Sequence, residues 1–309
     1  MSTNKKKMTL GAKVKKYKSL IPFIIPAVLF ALIFSYLPMT GILIAFKDNP
    51  NFLRYDVFEA FQRSEWTLEN FKILFSDPEI LSYIRNTLII SVMKIVILFP
   101  LPVILAVMIT ELRSKRFSKL VQGIVFLPHF FSWVVIVGIF NSIFGMYGPI
   151  NNLSVALGGE AVHFMGEPGW FRWLVVILSG WKEIGYSSIA YIAAIMSIDP
   201  ALYEAAKIDG ANKWETLKNV TIPMVMPSIT ICTFLTLSNS FKLYDQNLAL
   251  TNGAPMHKTE MLALNIVNTF YGRSGYEGVG QAKAVIFLVI VAVIALSQLY
   301  FTRKREVEQ

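Results

Sequence analysis

Residues 203–223 read YEAAKIDGANKWETLKNVTIP and form a polar segment between two long apolar runs. The Asp-Pro pair at 199–200 suits a helix start, because Asp caps helix N-termini and Pro has no N–H to leave unpaired there. Gly210 suits a helix end, since glycine tolerates the left-handed backbone found there. Asn212 and Glu215 have the spacing of a capping box. The segment is therefore predicted to form two short, capped helices.

The apolar runs around this segment indicate an all-α integral membrane protein. Hydrophobic residues make up 54% of the 309 residues, against about 45–50% in an ordinary soluble domain. Several runs reach the ~20 residues that cross the hydrocarbon core of a bilayer. Six spans are predicted, at about residues 20–46, 87–110, 120–144, 170–198, 223–244 and 282–301.

The net charge of +9 is concentrated in the tails and in short loops. In a soluble protein, this charge would raise the question of nucleic-acid binding. The lysine-rich tail at 1–19 has two interpretations: contact with anionic lipid or nucleic acid, or a signal that keeps this end in the cytoplasm. We favour the second, because positive residues also cluster at 113–119, 207–218 and 303–309. The pattern predicts that both ends and the 199–222 loop are cytoplasmic, with lipid contacts and no nucleic-acid partner.

Residue types that carry out catalysis or bind metal are sparse in this sequence. The single cysteine, Cys232, excludes an intrachain disulfide. His129, His163 and His257 lie in one predicted span and two different loops, without the spacing of metal ligands. The G-x-x-x-x-G-K-[ST] pattern of a phosphate-binding loop is absent from the sequence. We therefore expect a chain that is not an enzyme and holds no cofactor or metal of its own.

Three groups of residues resemble the EAA loop of binding-protein-dependent ABC import permeases. They are Glu204-Ala205-Ala206, Asp209-Gly210-Ala211 and Val220-Thr221-Ile222-Pro223. The stretch 244–260 is similar to the external loop after span five in the carbohydrate-uptake subfamily, that of the maltose and glycerol-phosphate permeases. Tyr244 departs from the Phe usual there, and Ala254 from the usual Gly. The resemblance extends from span one to the C-terminus.

The resemblance implies a type I importer fold, with a six-span permease domain at 20–302, a coupling-helix loop at 199–222 and cytoplasmic tails at 1–19 and 303–309. In this family the loop transmits the motion of a separate ABC ATPase, which holds ATP and Mg. A second, paralogous permease and an extracytoplasmic solute-binding protein are implied as further partners, in the plasma membrane of a prokaryote. Seven residues of the loop take coupling roles in this interpretation: Glu204, Ala205, Ala206, Asp209, Gly210, Lys213 and Trp214. The competing interpretation is an ordinary capped loop between spans.

Polar residues in predicted spans four and five are candidates for a sugar path, because they supply hydrogen-bonding groups and aromatic faces at depth. These candidates are Trp181, Lys182, Glu183, Tyr186, Asn239, Lys242 and Asp245. Hydrogen bonds between helices, the lining of a water-filled vestibule, or lysines that reach to the interface explain them equally well. For Lys94 we favour such a structural role, and for Trp133 and Trp173 packing or interfacial anchoring.

The predicted function is that of an ABC importer permease for a sugar or oligosaccharide delivered by a binding protein. One alternative is the same role for a non-sugar solute. Another is a self-sufficient secondary transporter, which inverted repeats and a buried ion-coupling carboxylate would support; the sequence has no such repeat, and Glu183 is its best candidate carboxylate. A membrane-embedded enzyme would need a cluster of His, Asp and Glu that the sequence does not provide.

Overall fold

The computed structural model describes the chain as a bundle of helices. It covers residues 21–48, 55–254, 257–272 and 275–307. The predicted tail at 1–19 and the end of the predicted tail at 303–309 lie outside the described residues. Within the described ranges all regular elements are helical, which confirms the all-α prediction for this part of the chain. The α-helices, labelled in chain order, are α1 Ile21–Ala31, α2 Val57–Arg63, α3 Glu69–Ser76, α4 Ile80–Leu98, α5 Pro100–Thr110, α6 Lys115–Phe126, α7 Trp133–Phe144, α8 Pro149–Ala156, α9 Pro168–Met196, α10 Pro200–Ile208, α11 Lys213–Thr216, α12 Ile222–Phe241, α13 Tyr244–Leu250, α14 Leu262–Gly272 and α15 Glu277–Val307.

Five helical stretches of the described residues are long and apolar enough to cross a membrane. They are Pro22–Phe46, Ile80–Thr110, Trp133–Ala156, Lys213–Phe241 and Glu277–Tyr300. A sixth is obtained if α9 and α10, which are bent by 69° at Ser197–Asp199, count as one span. Pro200 explains the bend, because a proline disfavours helical backbone at the residue before it. Asp199 is accordingly extended, with φ −61° and ψ 123°.

The helix within the predicted third span is interrupted. α6 ends at Phe126, a 3₁₀ turn covers Leu127–Phe130, and α7 begins at Trp133. Pro128 cannot supply an N–H to a continuous helix, and Ser132 starts the next helix by accepting a hydrogen bond from Val135 N at 3.3 Å. The interruption leaves the backbone carbonyls of His129 and Phe131 to find donors elsewhere in the bundle.

One hydrophobic cluster of the core lies where α4, α7, α9 and the segment around α13 meet. Its fully or nearly fully buried members are Ile90, Ile136, Val137, Phe140, Phe171, Leu174, Val175, Leu178, Leu243, Leu250 and Met261. Buried polar side chains link these elements: Ser91 Oγ donates to Ser240 O at 2.9 Å, and Ser179 Oγ donates to Gln246 Oε1 at 2.9 Å. Such bonds between helices fix their rotation relative to one another.

The stretch 244–260 is tied to α4 and α14 by buried side chains. Asn86 Nδ2 donates to Lys258 O at 2.8 Å, and Asn247 Oδ1 accepts from Met261 N at 2.8 Å. Glu260 is fully buried; its carboxylate accepts from Asn268 Nδ2 at 3.0 Å and also contacts the imidazole of His257. The described residues of this stretch, 244–254 and 257–260, are therefore held by the bundle rather than forming a free loop.

Candidate functional site

A polar cavity of about 260 Å³ lies inside the bundle, between the α4–α5 pair, α7, α9 and α12. Its lining consists of Lys94, Leu98, Pro102, Trp133, Ser179, Glu183, Ile184, Ser187, Thr236, Asn239, Ser240, Lys242 and Leu243. The volume lies just below the ~300–1,000 Å³ of pockets that enclose drug-sized ligands. The cavity therefore accommodates part of a longer ligand rather than all of it.

Several neutral groups of this lining are available to a ligand. The side chains of Ser187, Thr236 and Asn239 make no hydrogen bond to any described residue. Trp133 adds an aromatic face beside them. Hydroxyl and amide groups together with an aromatic ring are the combination that recognises a polyhydroxylated ring, since they match both its hydroxyls and its C–H face.

Three charged side chains also face the cavity. Glu183 Oε2 lies 3.0 Å from His129 Nδ1, so the carboxylate has a partner on the interrupted third span. Lys94, near the C-terminal end of α4, is only 9% exposed. Lys242 follows the last residue of α12, where the backbone leaves the helix with φ −88° and ψ 57°, and its side chain is exposed.

Lys182 occupies a different environment from Glu183 although the two are adjacent in sequence. Its Nζ donates to His129 O at 2.6 Å and to Phe131 O at 2.5 Å. These are carbonyls that the interruption of the third span leaves without a helical partner. Tyr186 completes the contact, because its ring stacks on the imidazole of His129 with centroids 3.9 Å apart. Lys182 and Tyr186 thus hold the interrupted segment in place.

The structure brings together only part of the predicted sugar path. Glu183, Asn239 and Lys242 line the cavity, whereas the other four candidates lie outside its lining. Those four are Trp181, Lys182, Tyr186 and Asp245. Trp181 is 45% exposed, on another face of α9.

Sequence reasoning missed other residues of the lining, namely Lys94, Trp133, Ser179, Ser187 and Thr236. Two signals for them were present. Ser179, Glu183 and Ser187 are spaced four apart, which places them on one helix face. Lys94 is the lone charge in the predicted second span, and a charge at depth favours a functional position.

The 199–222 loop has the two capped helices that its sequence predicts. Asp199 Oδ1 accepts from Ala201 N at 2.9 Å at the start of α10. At its end Gly210 has φ +79°, and Ala211 N donates to Ala206 O at 2.9 Å, which closes the helix terminus. Both helix-boundary predictions are confirmed.

The predicted capping box of α11 is also present. Asn212 Oδ1 accepts from Trp214 N and Glu215 N at 2.9 and 3.0 Å, and Asn212 N donates to Glu215 Oε2 at 2.7 Å. These bonds fix the direction in which α11 leaves the loop. The two short helices are therefore stiff in spite of their length.

Among the described residues, one side-chain hydrogen bond closes the loop on itself and one ion pair joins it to the end of α5, while most of its surface is exposed. The Tyr203 hydroxyl lies 3.3 Å from Thr221 Oγ1, and Lys213 Nζ pairs with Glu111 Oε2 at 2.8 Å. The ion pair is exposed, so it contributes at most about 1 kcal/mol. Of the seven predicted coupling residues, Ala206 is half-buried and the others are exposed: Glu204, Ala205, Asp209, Gly210, Lys213 and Trp214.

Large apolar side chains stand out on this exposed surface. Ile208 is 85% exposed and Trp214 is 70% exposed. Trp214 also borders an apolar groove of about 920 Å³ between α5 and α12. Exposed apolar surface of this kind, rimmed by charged residues, is typical of a protein interface.

Known proteins resemble this chain over nearly all of its length. Residues 98–307 match the family of binding-protein-dependent transport system inner membrane components. The polygalacturonan/rhamnogalacturonan transport system permease protein YteP of Bacillus subtilis (strain 168) is 33% identical, over 93% of this chain and 89% of the relative. The probable starch degradation products transport system permease protein AmyD of Thermoanaerobacterium thermosulfurigenes is 38% identical, over 93% of this chain and 94% of the relative.

One solved structure extends the likeness to three dimensions. It is a bacterial alginate ABC transporter in complex with an alginate pentasaccharide-bound periplasmic protein. A chain of that complex superposes with a TM-score of 0.82 at 31% identity, over 96% of this chain and 97% of that chain.

Proposed function

This chain belongs to the family of binding-protein-dependent transport system inner membrane components, and from that membership we propose that it forms the translocation path of an ATP-driven ABC importer for a sugar or oligosaccharide. It is a multi-pass membrane protein of the bacterial inner membrane and a transport component rather than an enzyme. The observation that carries the proposal is the polar cavity inside the bundle, with its unengaged hydroxyl and amide groups and its tryptophan.

The named relatives support the sugar class. YteP and AmyD are named for polygalacturonan/rhamnogalacturonan and for starch degradation products. The structurally similar chain belongs to a transporter solved with alginate on its periplasmic protein. The polygalacturonan/rhamnogalacturonan and alginate pentasaccharide names refer to saccharides of more than one unit. A cavity that accommodates part of a longer ligand is consistent with such a substrate.

The proposed partners follow from what this chain lacks and from its likeness to a complete transporter. Because its sequence has no phosphate-binding loop, ATP and Mg belong to a separate ABC ATPase. A solute-binding protein outside the membrane delivers the sugar, as the complex with a periplasmic protein suggests. A second, paralogous permease completes the pathway, and the chain holds no cofactor of its own.

In this mechanism the 199–222 loop is the cytoplasmic coupling loop. Its exposed residues Glu204, Lys213 and Trp214 contact the ATPase. Because its two helices are capped and stiff, they move as rigid units when the ATPase closes and pass that movement to the membrane helices. The loop joins α9 directly to α12, and both helices line the cavity. Displacement of the loop therefore moves two walls of the cavity together, which changes the side to which it opens.

Reconstitution in proteoliposomes tests the proposal. The chain, its second permease, the ATPase and the cognate binding protein are combined, and uptake of labelled oligosaccharides is followed with ATP inside the vesicles. We expect uptake that requires both ATP and the binding protein. Uptake that persists without the ATPase and follows an imposed proton or sodium gradient would instead identify a secondary transporter.

A further inference from the structure

Lys94 differs from every other buried lysine that the structure describes. Lys47 Nζ donates to Ser64 O at 2.9 Å. Lys182 Nζ donates to two backbone carbonyls, and Lys283 Nζ donates to Asn265 Oδ1 at 2.7 Å among other groups. Lys94 makes no hydrogen bond and no ion pair within the described ranges, yet it is 9% exposed and lines the cavity.

A buried ammonium group is stable only with a compensating anion or with hydrogen-bond acceptors around it. Glu183 lines the same cavity from α9. Its carboxylate is nevertheless engaged with His129 Nδ1 at 3.0 Å and forms no ion pair with Lys94. The position of Lys94 therefore favours an anionic group within the cavity itself.

The overall charge of the lining points in the same direction. Lys94 and Lys242 contribute two positive charges and Glu183 one negative charge, which leaves one positive charge when His129 is counted as neutral. A carboxylate carries one negative charge and accepts well from ammonium groups. The neutral lining groups Ser187, Thr236 and Asn239 suit the hydroxyls of the same ligand.

We propose that this cavity selects sugars that carry a carboxylate, that is, uronate units, and that Lys94 and Lys242 are the contacts of that carboxylate. The inference rests on the proposed function and refines its substrate class. Trp133 lies against the ring of the same sugar unit. A neutral sugar of equal size binds more weakly, because it leaves the Lys94 ammonium without an anion.

Binding to the permease itself tests this selectivity without selection by the binding protein. The complex of this chain with its second permease and ATPase is placed in lipid nanodiscs. Disaccharides of galacturonate, glucuronate and mannuronate are each titrated against the neutral disaccharide of the same sugar series. We expect at least one acidic member to bind about tenfold or more tightly than its neutral counterpart, as a charge-assisted hydrogen bond provides.

Variants of Lys94 connect that preference to the cavity. Lys94→Met is expected to reduce the preference to about threefold or less, and Lys94→Arg, which keeps the charge, to retain it. Lys72→Met is the matched control, because Lys72 is an exposed lysine on α3 that pairs with Glu69. It should leave the preference unchanged.

The outcomes separate this inference from the function on which it rests. Equal binding of acidic and neutral sugars, or a preference that survives in Lys94→Met, overturns the inference. The inference is also overturned if Lys94→Met causes the complex to dissociate into subunits while the sugar preference stays intact. In that case Lys94 pairs with the second permease rather than with a sugar. ATP-dependent import of neutral sugars alone leaves the proposed function standing, whereas import of neither class contradicts that function.

Discussion

Lys182 Nζ of α9 lies 2.6 Å from the carbonyl oxygen of His129, so the helix that leads into the 199–222 loop is bonded to the interruption of the third predicted span. The same ammonium donates to Phe131 O at 2.5 Å. One lysine side chain thus supplies donors to two carbonyls that the break in the helix before Trp133 leaves without a helical partner. Because the cavity lies between these same elements, its shape depends on this contact.

We expect Lys182→Met to destabilise the protein. Each buried carbonyl left without a donor costs about 1–3 kcal/mol, which corresponds to a fall in unfolding temperature of about 5 °C or more. Thermal unfolding of the purified complex in detergent measures this. Lys242→Met is the control, since Lys242 is exposed and makes no side-chain hydrogen bond to the described residues. Equal unfolding temperatures for the two variants would contradict the structural role of Lys182.

Gly210 provides a test of the coupling loop that is independent of side-chain contacts. Its φ is +79° and a Cβ there would meet no heavy atom within 4 Å. Gly210→Ala therefore costs only the backbone strain of the left-handed region, about 1–2 kcal/mol. We expect the end of α10 to loosen, and substrate-stimulated ATP hydrolysis and uptake to fall several-fold in the reconstituted transporter.

Gly158 is a matched control for this substitution. It has φ +86° and the same free space around a Cβ, but it follows α8 rather than the coupling loop. Gly158→Ala imposes a similar strain and should leave coupled ATP hydrolysis unchanged. If both variants lose coupling to the same extent, general destabilisation is the cause and the coupling role of Gly210 is not supported.

The capping box predicts a second effect in the same loop. Asn212→Ala removes the acceptor of Trp214 N and Glu215 N, at a cost of about 0.5–2 kcal/mol to α11. We expect fewer sugar molecules to be imported for each ATP hydrolysed. The reason is that a less rigid α11 deforms when the ATPase moves, so less of that movement reaches α9 and α12. The measurement is the ratio of uptake to ATP hydrolysis in proteoliposomes.

Asp56→Ala controls for the loss of a cap as such. Asp56 Oδ1 accepts from Phe58 N and Glu59 N, both at 2.9 Å, at the start of α2. The number and geometry of the bonds are close to those of Asn212, but the helix lies far along the chain from the loop. An equal drop in the transport ratio for Asp56→Ala would refute a special role for the cap of α11.

Sequence patterns predicted the 199–222 loop more accurately than the cavity, and the range of the interactions explains the difference. The caps at Asp199, Gly210 and Asn212 depend on residues within one helical turn, so their patterns determine the structure directly. The lining depends on how α4, α9 and α12 are rotated about their own axes. Contacts such as Ser91 with Ser240 set that rotation, and they join residues far apart in sequence.

Two residues of α9 that are only two positions apart illustrate the consequence. Glu183 faces the cavity, whereas Trp181 lies on an exposed face. The two residues look equally suitable from their polar or aromatic character alone, because residue type does not determine which side of the helix faces the cavity. The structural role that the sequence favours for Lys94 has the same origin, since only the packed bundle brings it to the cavity that Glu183 of α9 and Asn239 of α12 also line.

Substitutions on the two faces distinguish the cavity from the wider predicted path. Asn239→Ala removes from the lining an amide that makes no hydrogen bond to the described residues. We expect sugar affinity to fall about tenfold, which is the usual effect of losing one hydrogen bond in a binding site.

Trp181→Ala changes a residue outside the lining and should leave sugar affinity unchanged. Asn141→Ala, on the exposed face of α7, controls for the loss of an amide elsewhere. Equilibrium binding to the complex in nanodiscs measures all three. A loss of affinity in Trp181→Ala with none in Asn239→Ala would place the sugar against the exposed face of α9 that carries Trp181, rather than in the cavity that Asn239 of α12 lines.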